Sequence, residues 1–232
     1  MLTENTVSKL HEMKLSVMAQ SFREQMTNHE FVGLSFEDRF SLLVDSEWAS
    51  RKSNRLNRLI RSAEYSIPGA SVENIEYSPS RNLDKALISR LSSCVYVLEA
   101  NNVIILGATG VGKTYLASAL GMAANRSFYA VRYIRLPDLL AELAISRGDG
   151  TYRKVMKKYK QIKLLILDEY LLFPLKESET RDLLEIVEAR HKVASTIFCH
   201  SLPSPGGMPR SASPRCPTPS VIVSCTIPIP SR

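Results

Sequence analysis

The sequence lacks several features that would place it in a membrane or outside the cell. No apolar run among its 232 residues approaches the roughly twenty residues of a membrane-spanning helix. Charged residues interrupt the apolar ones at the N-terminus, unlike the pattern of a signal peptide. The four cysteines form no C-x-x-C pair: Cys94, Cys199, Cys216 and Cys225. We therefore expect a cytoplasmic protein with reduced thiols, no membrane partner, no disulfide framework and no zinc site.

Acidic residues are the scarcer charged class. The chain has 23 Asp and Glu against 30 Lys and Arg, which gives a formal net charge of +7. Such a surplus favours polyanionic partners, and a solvated basic surface is the alternative explanation. The length suits one globular domain of ordinary size with a smaller appendage, and it allows a buried hydrophobic core.

A glycine-rich motif after the apolar run 102–106 carries the strongest functional signal. It follows the pattern G-x-x-x-x-G-K-[ST] and comprises Gly107, Ala108, Thr109, Gly110, Val111, Gly112, Lys113 and Thr114. A strand that turns through glycines into a helix directs several backbone N–H groups at one point, where the helix dipole adds positive potential. An ordinary βα turn is the alternative, but both the strand and the helix are present. The motif predicts an ATP site in which Lys113 contacts phosphates and Thr114 holds Mg2+.

A second motif combines a buried strand with two acids. Four apolar residues, 164–167, lead directly into Asp168 and Glu169. Paired with the upstream phosphate loop, these acids form a Walker B motif, in which Asp168 joins Thr114 in holding Mg2+. Glu169 is expected to orient or deprotonate the attacking water, so the predicted catalytic residues are Lys113 and Glu169. Water as the acceptor also argues against a P-loop kinase, the more distant alternative.

Two basic clusters are candidate contacts to duplex DNA. The first lies at the end of an N-terminal helix and comprises Arg51, Lys52, Arg55 and Arg58. The second comprises Arg153, Lys154, Lys157 and Lys158, interleaved with Tyr152 and Tyr159. Lys and Arg neutralise DNA phosphates without reading sequence, and tyrosines can stack on bases. The alternative for both clusters is a solvated helix face, with the tyrosines packed inward.

The order of the predicted elements divides the chain into four segments. Residues 1–63 have helical periodicity, with a capping box at Ser35 to Asp38, and residues 64–82 hold the Pro, Gly and Ser of a linker. Strands and helices then alternate through residues 83–200, which predicts an α/β fold with a parallel sheet flanked by helices. The last segment, 201–232, is rich in Pro, Ser and Arg and is expected to be disordered.

These motifs together resemble the IstB-like ATP-binding family, the transposition helpers of insertion sequences. That family is related to DnaC-type helicase loaders within the AAA+ ATPase class. The resemblance runs from about residue 5 to Cys199 and rests on the segments 9–19, 51–56, 101–107 and 194–198 in addition to the phosphate loop, the Walker B motif and the capped helix at Ser35.

The resemblance implies a function. It implies an ATPase that oligomerises on duplex DNA, deforms it and delivers it to a transposase. It also implies ATP and Mg2+ roles for Gly110, Gly112, Lys113, Thr114, Asp168 and Glu169. A helicase loader of the DnaC kind is the near alternative, and a non-functional gene remnant is the other.

The chain departs from that family at His200. The family has a polar sensor residue after the last strand and then a segment whose arginine reaches the neighbouring subunit's γ-phosphate. Here residues 201–232 contain eight prolines, seven serines and no Asp, Glu, Lys, Asn or Gln. Read from each third codon base, residues from Ser204 onward are compatible with SGWNAKIGEPTLPDAIRDRVVHDSYTI, which looks like the missing segment. We therefore hypothesise a frameshift near residues 200–202, with ATP binding retained and ATP hydrolysis weak.

Overall fold

The structure is a computed structural model that describes residues 2–77, 83–170, 172, 174–201 and 220–225. The chain divides into two compact units, residues 1–58 and residues 59–232. The helices are α1 (Leu2–Glu12), α2 (Ser16–Thr27), α3 (Phe36–Ala63), α4 (Lys85–Ser92), α5 (Val95–Leu98), α6 (Lys113–Arg126), α7 (Leu136–Gly148), α8 (Tyr152–Gln161) and α9 (Glu177–Arg190). The strands are β1 (Asn102–Gly107), β2 (Val131–Arg135), β3 (Leu164–Asp168), β4 (Ser195–Ser201) and β5 (Ser220–Cys225).

The first unit is helical, as the periodicity predicts. The predicted cap of α3 forms: the Asp38 N–H donates to Ser35 Oγ at 3.1 Å, and Ser35 Oγ donates to Asp38 Oδ2 at 2.8 Å. A second cap was not predicted, because its residues are distant in sequence. The buried carboxylate of Glu47 on α3 accepts the N–H groups of Val17 and Met18, each at 3.0 Å, in the first turn of α2. These bonds tie two helices of the unit together.

The second unit is built on one parallel sheet with the strand order β2-β3-β4-β1-β5. Alternate residues of each strand face opposite helical layers, since successive side chains in a strand point to opposite faces. One layer contains α4, α6 and residues of segment 64–77, and packs on Ile105, Tyr133 and Ile166. The other contains α7, α8 and α9, and packs on Leu165 and Leu167. The predicted α/β fold with a helical N-terminal part is confirmed.

The structure differs from the sequence-based boundaries in two places. Segment 64–77, expected to be part of a linker, buries Tyr65, Ala70 and Ile75 in the core; residues 78–82 lie outside the described residues. The expected disordered tail supplies β5, which runs parallel to β1 with Val223 beside Ile105. Its Val-Ile-Val core has high β-propensity, and pairing covers the otherwise open edge of β1. Residues 202–219 and 226–232 lie outside the described residues.

Among the residues that the structure describes, none of the helices is both long enough and apolar enough to cross a lipid bilayer.

Candidate nucleotide-binding site

The predicted phosphate loop joins the end of β1 at Gly107 to the start of α6 at Lys113. Two of its glycines have left-handed backbone angles, with φ of 84° at Gly110 and 92° at Gly112. A side chain disfavours these angles, which explains why glycine occupies both positions. The sheet therefore delivers the loop, and the two glycines turn it into the helix N-terminus, where N–H groups and the helix dipole favour anions.

Lys113 is held inside this loop. Its side chain is 7% exposed, and its Nζ donates to the carbonyl oxygens of Gly107 at 3.0 Å and Ala108 at 2.7 Å. These two bonds keep the ammonium group next to the backbone that is expected to surround the phosphates. A fixed cation at this point lowers the cost of bringing several phosphate charges together.

The two residues predicted to hold Mg2+ meet in the structure. Thr114 Oγ1 donates to Asp168 Oδ2 at 2.7 Å, although the two residues lie on different elements, α6 and β3. A hydroxyl and a carboxylate are hard oxygen ligands of the kind that Mg2+ prefers. The donor set therefore fits Mg2+. Within the described residues no cluster of three His, Cys, Asp or Glu exists, so phosphate oxygens and water would complete the coordination.

Glu169 lies at the same edge but is engaged. Both of its carboxylate oxygens lie 2.7 Å from Arg135 Nη2, at the end of the neighbouring strand β2. The pair is partly open to solvent, with Glu169 side-chain exposure of 32% and Arg135 of 50%. Glu169 also has a left-handed backbone, with φ of 53°, which is uncommon for a residue with a side chain. The Glu169 carboxylate is therefore partly exposed to solvent, with both of its oxygens also bonded to Arg135.

Two residues of this site were missed from the sequence, and both lie on β2. Tyr133 donates its hydroxyl to Asp168 Oδ2 at 2.8 Å, and Arg135 binds Glu169. The sequence predicts a strand at 130–134 but does not say which strand lies beside β3. If the strand order were known, Tyr133 and Arg135 would be expected to contact the acids after β3, because they lie two residues apart on the same face of the neighbouring strand.

The carboxyl end of β4 lies between the two motifs, because β4 pairs with both β1 and β3. Ser201 is paired with Gly107 in the register of β4 with β1. His200 Nδ1 lies 2.8 Å from the carbonyl oxygen of Tyr170, the second residue after β3, and the Tyr170 N–H donates to Cys199 O at 2.9 Å. His200 and Ser201 thus lie at the same sheet edge as the phosphate loop.

The second basic cluster lies on the outer face of α8. Arg153, Lys154 and Lys157 are exposed and form no ion pair within the part of the chain that the structure describes, whereas Lys158 Nζ binds Glu142 Oε1 at 3.2 Å. The tyrosines face inward. Tyr159 is fully buried with its hydroxyl on Glu142, and Tyr152 donates to Asp182 Oδ1 at 2.7 Å. The inward alternative is therefore correct for the tyrosines, and base stacking by them is not supported.

The first basic cluster lies on α3. Arg51 Nε binds Glu47 Oε1 at 2.7 Å, and Arg51 Nη2 donates to the Lys14 carbonyl oxygen, also at 2.7 Å. Lys52 Nζ lies 4.8 Å from the centre of the Trp48 ring. Arg55 and Arg58 are exposed. Arg51 thus has a structural role within the first unit, apart from any contact of the cluster with DNA.

The sheet order, the phosphate loop between β1 and α6, and the acids at the end of β3 define a P-loop AAA+ domain. Solved structures support this class. A DnaA from Aquifex aeolicus bound to AMPPCP has a TM-score of 0.52 at 25% identity, covering 58% of this chain and 42% of that one. A DnaC helicase loader has a TM-score of 0.53 at 19% identity, covering 59% of this chain and 80% of that one, and shows the fold alone.

The sequence comparisons then give the family. The profile of the family described as "IstB-like ATP binding protein" matches residues 8–205, and the chain belongs to that family. A Pseudomonas fluorescens protein named for insertion sequence IS1162 and for ATP binding is 39% identical over 231 residues, covering 100% of both chains. An insertion-sequence protein of Sinorhizobium fredii, also named for ATP binding, is 39% identical over 203 residues, covering 88% of this chain and 82% of its own.

Proposed function

We propose that this protein is an ATP-binding helper of DNA transposition, which binds and remodels duplex DNA for a transposase. The observation that carries the proposal is the meeting of Thr114 and Asp168 beside Lys113, because it joins the two predicted motifs into one phosphate and metal site. The named insertion-sequence relatives at 39% identity support the transposition setting.

Each predicted residue has a proposed role. The backbone of residues 107–114 surrounds the phosphates of ATP, and Lys113 contributes the charge. Thr114 and Asp168 would hold Mg2+, which would neutralise phosphate charge when bound. Glu169 orients or deprotonates water once its carboxylate is free of Arg135.

ATP turnover by this chain is proposed to be slow for two reasons. The first is geometric, since both oxygens of Glu169 are engaged by Arg135. The second is the altered C-terminal sequence. An arginine supplied from a neighbouring subunit accelerates phosphoryl transfer by roughly a thousandfold or more in comparable sites. On the frameshift hypothesis, this chain lacks the segment that carries that arginine in the family.

The frameshift hypothesis for this segment has support and opposition. The family profile ends at residue 205, close to the predicted point of departure. The IS1162 relative, however, aligns with the whole chain, so the altered tail is shared at least in length. The nucleotide sequence decides between the two: a single-frame correction near codons 200–202 must restore the family segment, or the hypothesis fails.

Duplex DNA is the proposed polyanionic partner. On α8 the exposed cations Arg153, Lys154 and Lys157 form a sequence-independent phosphate contact, and Lys158 joins it at the cost of its bond to Glu142. On α3 the corresponding contact comprises Lys52, Arg55 and Arg58, with Arg51 already engaged by Glu47. A helicase loader would share this fold, but the relatives named for insertion sequences favour the helper.

Experiments on the purified 232-residue chain test the proposed ATP binding and slow hydrolysis. We expect Mg2+-dependent binding of a fluorescent ATP analogue and little phosphate release, with or without duplex DNA. Glu169→Gln is the matched variant, expected to retain binding and to lose the residual phosphate release. Vigorous DNA-stimulated hydrolysis by the unmodified chain would contradict slow turnover, and a failure to bind ATP would contradict the site itself.

A further inference from the structure

Tyr133 reaches the metal site from a strand that carries no part of either motif. It lies on β2 in the layer of α6, with its side chain 6% exposed among the core residues of that face. In the register of β2 with β3, Tyr133 is opposite Ile166, two residues before Asp168. The length of the phenol spans this distance and places the hydroxyl 2.8 Å from Asp168 Oδ2.

Asp168 is buried and is held by three donors. Asp168 is only 5% exposed, so its carboxylate has little access to solvent. Oδ2 accepts the hydroxyls of Thr114 and Tyr133, and Oδ1 accepts the Glu169 N–H at 2.8 Å. A buried carboxylate needs such bonds because its charge is otherwise costly to remove from water.

The three donors differ in what else they do. Thr114 is itself a predicted ligand of Mg2+, and the Glu169 N–H belongs to the backbone and varies little with sequence. Tyr133 alone contributes a side chain that is neither a ligand nor part of the phosphate loop. Its hydroxyl lies 2.8 Å from Asp168 Oδ2 and donates to it.

We propose that Tyr133 is a positioning residue for Mg2+ binding, whose hydroxyl orients Asp168 toward Thr114. The inference rests on the proposed ATP and Mg2+ site and adds a residue to it. Groups that hydrogen-bond to a metal ligand fix its orientation, and their loss typically weakens metal binding by about 10–100-fold. Because the second oxygen of Asp168, Oδ1, is also held by the Glu169 N–H, we expect Mg2+ binding to weaken by the lower end of that range.

Tyr133→Phe tests this role because it removes the hydroxyl and leaves the buried ring. The affinity for a fluorescent ADP analogue is measured in EDTA and then across a Mg2+ series. We expect the affinity in EDTA to change less than about twofold, and the Mg2+ concentration that gives half of the Mg2+-dependent gain to rise about tenfold. Thermal denaturation in EDTA checks that the variant is folded.

Tyr96→Phe is the matched control. Tyr96 is also a buried tyrosine, but its hydroxyl has no hydrogen-bond partner among the described residues, so its removal should leave both affinities unchanged. An unaltered Mg2+ requirement in Tyr133→Phe would overturn the inference, and so would an equal loss of affinity in EDTA, which indicates a structural role. Failure of the proposed function is distinguishable, since unmodified chain would then show no Mg2+-dependent nucleotide binding.

Discussion

Helices α6 and α8 pack on opposite faces of the same sheet. Helix α6 carries the proposed nucleotide site, and α8 carries a proposed DNA contact. Only Arg126 of α6 is exposed, and the helix lies between the sheet and segment 64–77. On α8 the inward face is buried through Met156 and Tyr159, while the outer face is basic and exposed. Packing therefore restricts which residues can occupy α6, whereas the outer face of α8 is characterised only by its positive charge. The packed helix can be recognised from a sequence motif, whereas the charged face of α8 appears in the sequence only as a surplus of Lys and Arg.

The largest expected effect is at the start of α6. Lys113→Ala removes an ammonium group that two loop carbonyls hold in place, and hydrogen bonds to charged groups contribute about 1.5–3 kcal/mol. We expect the affinity for ATP to fall by roughly 100-fold, measured with a fluorescent analogue. Lys85→Ala on α4 is the control, and an equal loss in that variant would show that general charge, and not the loop, governs binding.

The next effect concerns the enclosure of α6. An added Cβ at Gly121 would lie 2.7 Å from Tyr65 Cε1 and 2.8 Å from Ile166 Cδ1, so Gly121→Ala forces two packed side chains to move. We expect a loss of about 1–3 kcal/mol in unfolding free energy, measured by chemical denaturation. Gly148→Ala on α7 meets nothing within 4 Å and should be neutral or slightly stabilising. Similar values for the two variants would show that packing around Gly121 does not limit the size of the side chain there.

The third effect tests the outer face of α8. Lys154→Ala with Lys157→Ala removes two exposed cations and should leave nucleotide binding intact. We expect the slope of log affinity for duplex DNA against log salt to fall by about 1.8 units, because each lost phosphate contact contributes about 0.9. The readout is fluorescence anisotropy over a salt series.

Its matched control removes the same charge from another helix. Lys85→Ala with Arg90→Ala changes two exposed cations of α4, on the opposite face of the sheet. Equal salt slopes for the two double variants would mean that DNA responds to net charge and not to α8.

The smallest effect concerns Arg135. Arg135→Ala frees both oxygens of Glu169, and a partly exposed ion pair is worth about 0.2–1 kcal/mol. We expect basal phosphate release to rise by up to about fivefold, with ATP affinity unchanged. Arg181→Ala breaks another exposed pair, with Glu177, and should leave the rate unaltered. A fall in rate for Arg135→Ala would show that the arginine assists hydrolysis instead of restraining it.

The sequence predicts the site to the extent that its residues are adjacent in the chain. The phosphate loop, the acids at 168 and 169 and the parallel α/β fold follow from local patterns, and the meeting of Thr114 with Asp168 follows from pairing the two motifs. Tyr133 and Arg135 could not be found, because their partners depend on strand order. Strand β5 was missed because composition dominates the tail, although six of its residues pair with β1.

We propose that one chain couples a nucleotide site at the start of α6 to duplex DNA. The direct measurement is anisotropy of a labelled duplex titrated with the full chain at several salt concentrations, with Mg2+ and with or without ATP. We predict binding that weakens steeply as salt rises and is tighter with ATP than without it, with the ATP effect absent in Lys113→Ala. DNA affinity that is independent of both salt and ATP would contradict this coupling.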